Sequence, residues 1–222
     1  MKAIVFDLDG TLIDSAPDLH QAANKLLADL DDDPLDLATI RSFIGNGVPK
    51  LVERLLAARN RTKDIAFQAE MTENFLGHYN AALFDKTRTY PGVITSLEVL
   101  KGMDIKLGIC TNKPEQPTLA ILAGLNLNRF FTSVVGGDSL TVKKPAPEPL
   151  FRAFNALGIN ADMQYSDCLY VGDSEVDQAT AKAANIPFAL FTEGYRKSSL
   201  EDMACEKTFR HFDQLIKMVR PG

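Results

Sequence analysis

The sequence predicts an α/β fold: a parallel sheet with crossover helices, carrying a small all-helical domain inserted after the first strand. Three observations predict it. Short apolar, β-branched runs recur along the chain, and each stops at a polar or glycine-bearing loop. Helical patterns lie between these runs, the alternation of a parallel sheet with crossovers. Residues 18–82 break the alternation and contain no strand pattern.

Residues 2–6 are a short apolar run that ends at Asp7-Leu8-Asp9-Gly10, a buried strand followed by a loop. In the insert, Leu19, Ala22, Ala23, Leu26, Leu27 and Leu30 follow helical spacing. So do Leu51, Val52, Leu55 and Leu56, and then Met71, Phe75, Leu76 and Tyr79. Turns are expected around residues 31–34 and 45–47, and hinges near 14–17 and 84–91. This places a core at residues 1–14 and 85–222 and a helical cap at 15–84. Val93, Leu97 and Leu100 mark the next helix. Strand 105–110 then ends at Thr111-Asn112-Lys113, and strand 132–135 at Gly136-Gly137-Asp138. Strand 168–171 ends at Gly172-Asp173-Ser174, and strand 188–191 at Thr192-Glu193-Gly194. Helices are expected at 118–125, 147–157 and 176–185.

The 222 residues and 45 % hydrophobic content suffice for a sizeable core. The formal charge of -5 argues against phosphate-backbone binding, which needs a basic face, but leaves room for a small basic pocket. No apolar stretch reaches the length of a membrane span, and the start of the chain lacks a secretory pattern. Cys110, Cys168 and Cys205 are an odd count without CxxC spacing, which reads as reduced thiols in a cytoplasmic protein. The expectation is a small-molecule enzyme, monomer or homodimer, with no nucleic-acid or membrane partner. The run Asp29, Asp31, Asp32, Asp33, Asp36 lacks the glycine and terminal glutamate of a calcium loop and reads as a solvated connection.

In a parallel α/β sheet, ligands gather at the carboxyl ends of the strands. The residues at those ends are Asp7 and Asp9, Thr111 and Asn112, and Asp173 with Asp177 nearby; Lys143 and Lys144 follow the third strand. Each alone reads more simply as a turn, a cap or a surface pair. Together they supply complementary roles on one edge. Cleaving a phosphate ester requires offsetting a dianion before an anionic nucleophile approaches, which a hard cation such as Mg²⁺ does through oxygen ligands. Asp7 and Asp173 can offer carboxylate oxygens, and Asp9 its backbone carbonyl. Lys144 and Thr111 can engage phosphate oxygens. Asp7 is a competent nucleophile, and Asp9 can serve as general acid and then base. Asp177 can hold a metal-bound water or orient Lys144.

The text Asp7-Leu8-Asp9-Gly10-Thr11-Leu12, Thr111-Asn112-Lys113, Lys144-Pro145 and Gly172-Asp173-Ser174-Glu175-Val176-Asp177 resembles the haloacid dehalogenase superfamily in composition, order and strand-end placement. The resemblance spans nearly the whole chain. It implies a Rossmann-like core with a five-stranded parallel centre. It also implies Asp7 as nucleophile, Asp9 as acid/base, Thr111, Asn112 and Lys144 on the phosphate, and Asp7, Asp9 and Asp173 on Mg²⁺. Lys144 is preferred over Lys143 because it directly precedes Pro145. Dehalogenases lack the second aspartate of the first motif, so Asp9 favours phosphatase chemistry. Glu175-Val176 departs from relatives that carry arginine or asparagine there.

Further stretches, including Asp14-Ser15-Ala16-Pro17, Ile44-Gly45-Asn46-Gly47 and Gly136-Gly137-Asp138-Ser139, resemble superfamily phosphatases whose substrate is 2-phosphoglycolate. That substrate carries a carboxylate beyond its phosphate. A glycine loop feeding a helix N-terminus presents free N–H groups to an anion. Gly45, Asn46 and Gly47, with Lys50 or Arg41 nearby, are therefore candidate readers of the carboxylate when the cap closes; the plainer alternative is a tight inter-helix turn. His20, on the first helix of the insert, reads as a packing residue. The competing expectations are a capped phosphatase for a sugar phosphate or nucleotide, a phosphosugar mutase, and a non-catalytic phosphate-ligand binder.

Overall fold

The computed structural model describes residues 1–61, 64–159, 165–203, 205 and 207–219. The strands in chain order are β1 (Ala3–Phe6), β2 (Ile13–Asp14), β3 (Arg88–Thr89), β4 (Lys106–Cys110), β5 (Ser133–Val135), β6 (Cys168–Gly172), β7 (Phe188–Phe191) and β8 (Thr208–Phe209). Among the described residues, six of them form one sheet in the order β5-β4-β1-β6-β7-β8, and β2 and β3 make a separate two-stranded pair. Every neighbouring pair of the large sheet is parallel. Parallel neighbours need crossovers, and helices Val93–Gly102, Glu115–Gly124, Glu148–Ala156 and Glu175–Ala184 supply them.

β1 is buried at all four positions, as expected of a central strand covered on both faces. It pairs with β4 on one side and β6 on the other. From β1 the chain fills β4 and β5 outward on one side, then returns to β6 and fills β7 and β8 on the other. Strand order therefore reverses around β1, and a crevice at the strand ends is a natural consequence. On one face, Leu150, Ala153 and Phe154 pack with Val5, Cys110 and Tyr170.

The sheet has one strand more than the five expected. Thr208–Phe209 is two residues long, too short to show a period of two. The C-terminal helix Phe212–Val219 was also not foreseen.

The chain divides into two compact units, Met1–Asp14 with Thr89–Gly222, and Ser15–Arg88. The second unit contains helices Ala16–Asp29, Leu37–Phe43, Val48–Ala58 and Ile65–Asn80. Leu37–Phe43, unforeseen in the sequence, buries only Ile40. It starts where the Asp36 carboxylate accepts a hydrogen bond from the Thr39 N–H at 2.7 Å. Within this unit the buried Asp18 carboxylate accepts from the N–H groups of Lys86 and Thr87 and from the Thr87 hydroxyl at 2.6–3.1 Å. One aspartate thus ties the beginning of the insert to its end. In the acidic run Asp31 and Asp33 are exposed, Asp32 pairs with Arg61 at 2.9 Å, and Asp36 is a helix cap. His20 Nε2 lies 2.9 Å from both the Leu35 carbonyl oxygen and the Asn24 amide nitrogen, a packing role.

None of the three cysteines forms a disulfide. Among the described residues no helix is long and apolar enough to cross a membrane.

Candidate active site

β1, β4 and β6 lie side by side, so the residues just past their carboxyl ends converge: Asp7, then Thr111 and Asn112, then Asp173. The peptide N–H of Asp7 donates to the Val171 carbonyl at 2.8 Å, and that of Thr111 to Val135 at 3.0 Å. The ladder therefore runs one residue beyond the strands and fixes where these side chains start.

Lys144 enters from the loop after β5. It is 4 % exposed, whereas Lys143 is exposed, which separates the two adjacent lysines. Asn112 holds the lysine's backbone, its side-chain amide donating to the Lys144 carbonyl at 3.1 Å. The ammonium donates to Asp7 Oδ1 at 2.7 Å, to Asp177 Oδ1 at 2.7 Å and to the Tyr170 hydroxyl at 2.9 Å. Burial alone would lower the ammonium's pKa; the Asp177 and Asp7 charges reverse this and push it up, so Lys144 remains a cation.

Asp177 sits in the first turn of helix Glu175–Ala184. Its Oδ2 accepts from the N–H groups of Asp173 and Ser174 and from the Ser174 hydroxyl at 2.6–3.3 Å, a reciprocal cap. Burial opposes its charge, yet Lys144 and these donors hold its carboxyl below the usual range. Asp173 is held by the Thr11 hydroxyl at 2.8 Å on one oxygen and the Tyr195 N–H at 2.6 Å on the other. The crowding there is tight. Gly10 has φ +92°, and a Cβ on it would lie 2.4 Å from Asp173 Oδ2, so only glycine fits.

Asp7, Asp173 and Asp177 each place an oxygen within 4.8 Å of the others, and all are buried. Three carboxylates face one ammonium, an unbalanced buried charge. Burial lifts the Asp7 carboxyl to about 7 despite the pull of Lys144. Burial, then the charges of Asp177 and Asp7, raise Asp173 well above the usual range. A divalent cation would supply the missing positive charge, and hard carboxylate oxygens suit it. Asp177 accepts from Lys144, Tyr170 and three donors of the cap, whereas Asp173 accepts from two donors, so Asp7 and Asp173 are the better placed to ligate.

Asp9 stands apart from this cluster. Both its oxygens lie near Lys113 Nζ, at 3.1 and 3.2 Å, and the Lys113 side chain is 4 % exposed. The Thr111 hydroxyl is 3.2 Å from the Lys113 N–H, which donates to it. Lys113, Tyr170, Thr11 and the Tyr195 N–H were not assigned roles from the sequence. Lys113 and Thr11 lay inside recognised motifs, and Tyr170 carried the faint signal of a hydroxyl in an otherwise apolar strand.

In the helical unit, Gly45 and Gly47 have φ of +115° and +84°, and a Cβ on Gly45 would meet nothing within 4 Å. The loop is braced by Arg54, which donates to the Phe43 carbonyl at 2.8 Å and to Asn46 Oδ1 at 2.9 Å. Lys50 forms an exposed pair with Glu53 at 2.5 Å. Arg41 is on the short helix before the loop.

Residues 4–191 match the haloacid dehalogenase-like hydrolase family, and the chain belongs to it. Two curated relatives carry one more specific name. The phosphoglycolate phosphatase of Cereibacter sphaeroides is 46 % identical over 220 residues, spanning 99 % of this chain and 98 % of its own. That of Rhodospirillum rubrum is 41 % identical over 219 residues, spanning 96 % and 89 %. The crystal structure of a predicted phosphoglycolate phosphatase from Haemophilus somnus has a TM-score of 0.91 at 28 % identity, covering 99 % of this chain and 98 % of its own. A haloacid dehalogenase-like hydrolase from Streptococcus pneumoniae reaches 0.84 at 21 % identity, covering 99 % of each, and shares the fold.

Proposed function

We propose that the protein is a Mg²⁺-dependent phosphomonoester hydrolase that converts 2-phosphoglycolate to glycolate and phosphate through an aspartyl-phosphate on Asp7. The observation that carries this reading is the Lys144 ammonium 2.7 Å from Asp7 Oδ1, within a buried cluster whose carboxylates outnumber it. The names of the 46 % and 41 % identical relatives support the substrate.

In the first half-reaction an Asp7 carboxylate oxygen attacks phosphorus, and the bond from phosphorus to the ester oxygen breaks. The departing alkoxide takes a proton from the Asp9 carboxyl and leaves as glycolate. Asp9 must enter this step protonated. In the second half-reaction Asp9, now a carboxylate, takes a proton from water whose oxygen attacks phosphorus. The acyl-phosphate bond breaks, phosphate departs and the Asp7 carboxylate is restored. Thr111 and Asn112 bind phosphoryl oxygens, Lys144 does so with the N–H that otherwise meets Asp7, and Asp177 holds Lys144 from behind. Asp7, Asp173 and the Asp9 carbonyl would hold Mg²⁺, whose chemistry is to offset the charge of the phosphate dianion.

The helical unit is assigned the role of cap. Its Gly45-Asn46-Gly47 loop and Lys50 are assigned to recognition of the substrate carboxylate, since glycine at the start of helix Val48–Ala58 leaves backbone N–H groups open to an anion.

A panel of phosphate esters, assayed with Mg²⁺ and with a chelator, tests the reading. The expected result is the highest kcat/KM on 2-phosphoglycolate, lost on chelation and restored by Mg²⁺. Preference for a sugar phosphate or a nucleotide overturns the substrate, and an isomerised phosphosugar product identifies a mutase. Asp7→Asn is expected to be inert while melting as the wild type does; retained turnover overturns the nucleophile.

A further inference from the structure

The lysine at the centre of the site is held by a group that no strand-end motif contains. We infer that Tyr170 is a positioning residue, its hydroxyl fixing the Lys144 ammonium so that one N–H points at Asp7. This rests on the phosphatase reading above.

An ammonium has three N–H donors. Those of Lys144 have three acceptors within 2.9 Å: Asp7, Asp177 and the Tyr170 hydroxyl. Asp7 and Asp177 already fix the rotation about the Cε–Nζ bond, and the third acceptor fixes the position of the nitrogen between them. The Tyr170 oxygen accepts from Lys144, and its own single proton has two acceptors in reach. These are Asp177 Oδ1 at 2.8 Å and the Cys110 carbonyl at 3.2 Å. The phenol therefore closes a triangle with Lys144 and Asp177, and Asp177 is anchored in turn by its helix cap. Two corners of the triangle stand on β6 and the helix that follows it, elements independent of the loop that carries Lys144.

The ring and the hydroxyl do separate work. The ring is fully buried with Val5, Cys110 and Phe154, so it belongs to the core. Only the oxygen reaches the site. Burial, and then the Asp177 charge, push the phenol's pKa well up, so it stays a neutral donor and acceptor. Removing that oxygen leaves the packing intact and takes the third acceptor from a buried cation. The ammonium then keeps only Asp7 and Asp177 as acceptors and one N–H without a partner, so the nitrogen is no longer held from a third direction and the N–H facing Asp7 and the transferring phosphoryl group shifts out of line. Misdirected donors cost transition-state stabilisation more than ground-state binding.

Tyr170→Phe tests this with two readouts. In steady-state assays on 2-phosphoglycolate with Mg²⁺, kcat is expected to fall about tenfold, the scale of one hydrogen bond to a charged group, with KM changed less than about twofold. By ¹⁵N NMR, the slowly exchanging Lys144 ammonium signal, assigned by its loss in Lys144→Met, is expected to shift or broaden in Tyr170→Phe. Thermal melting reports whether the core has been disturbed. A lowered melting temperature with unchanged kcat assigns the hydroxyl a purely structural role and overturns the inference. So does an unaltered Lys144 signal, whatever the kinetics. If the wild type is inert toward every ester tested, the phosphatase reading fails. The resonance then still decides whether Tyr170 holds Lys144.

Discussion

Lys144 and Lys50 were both expected to meet a substrate anion, and the structure sets them in opposite environments. Lys144 is 4 % exposed and contacts Asp7, 137 residues away in the chain. The Lys50 side chain is 46 % exposed and contacts Glu53, three residues away. A buried ammonium cannot drop a partner without leaving charge uncompensated, so its geometry is rigid. An exposed ammonium exchanges its partner for water at little cost, so its geometry is adaptable. The rigid kind suits chemistry common to every phosphate ester, and the adaptable kind suits reading the part of the substrate that varies.

That contrast can be broken at Lys144. Lys144→Met leaves Asp7 and Asp177 buried without their cation, and the expected cost is about 3–5 kcal/mol of stability. Chemical denaturation in the absence of metal measures it, together with loss of turnover. A variant as stable as the wild type would mean that the carboxylates are already neutral without the lysine.

Asp9 sharpens the comparison because it is paired with a buried lysine yet is proposed to move protons. Asp9→Asn is expected to lower kcat by roughly 10²–10⁴-fold. The asparagine cannot exchange the proton in either half-reaction, and pre-steady-state kinetics should show both halves slowed.

Among the described residues, the helical unit also contains a buried charge held by several donors. Asp18 accepts four hydrogen bonds from Lys86 and Thr87. Asp18→Ala strands those donors, and a loss of about 1–3 kcal/mol is expected by denaturant titration. At the other extreme, Lys50→Ala is expected to change stability by less than about 1 kcal/mol. Its effect should instead be a several-fold loss of selectivity for carboxylated over neutral phosphate esters. Unchanged selectivity removes Lys50 from substrate recognition and leaves Asn46→Ala to test the loop.

Much of this arrangement is legible in the chain because it is local. Asp7, Thr111, Asn112 and Asp173 each follow a buried run by one or two residues, and Asp177 follows Asp173 by one helical turn. Short elements were not legible: Thr208–Phe209 and Leu37–Phe43 are too brief to carry a periodic signal. Pairings across the chain were not legible either. Nothing near Lys113 announces that it meets Asp9, 104 residues earlier, or that Thr11 would hold Asp173, 162 residues later.

The sequence by itself determined the alternation of strand and helix, the long helical interruption and the acidic, hydroxyl and lysine groups at the strand ends. These follow from side-chain chemistry and spacing, which the unfolded chain already possesses. Tertiary structure alone decided that Asp9 is held by Lys113, that Thr11 holds Asp173, and that a core tyrosine reaches up to the ammonium. Each depends on which strands become neighbours and how much water is shut out between them, and both arise only when distant segments pack.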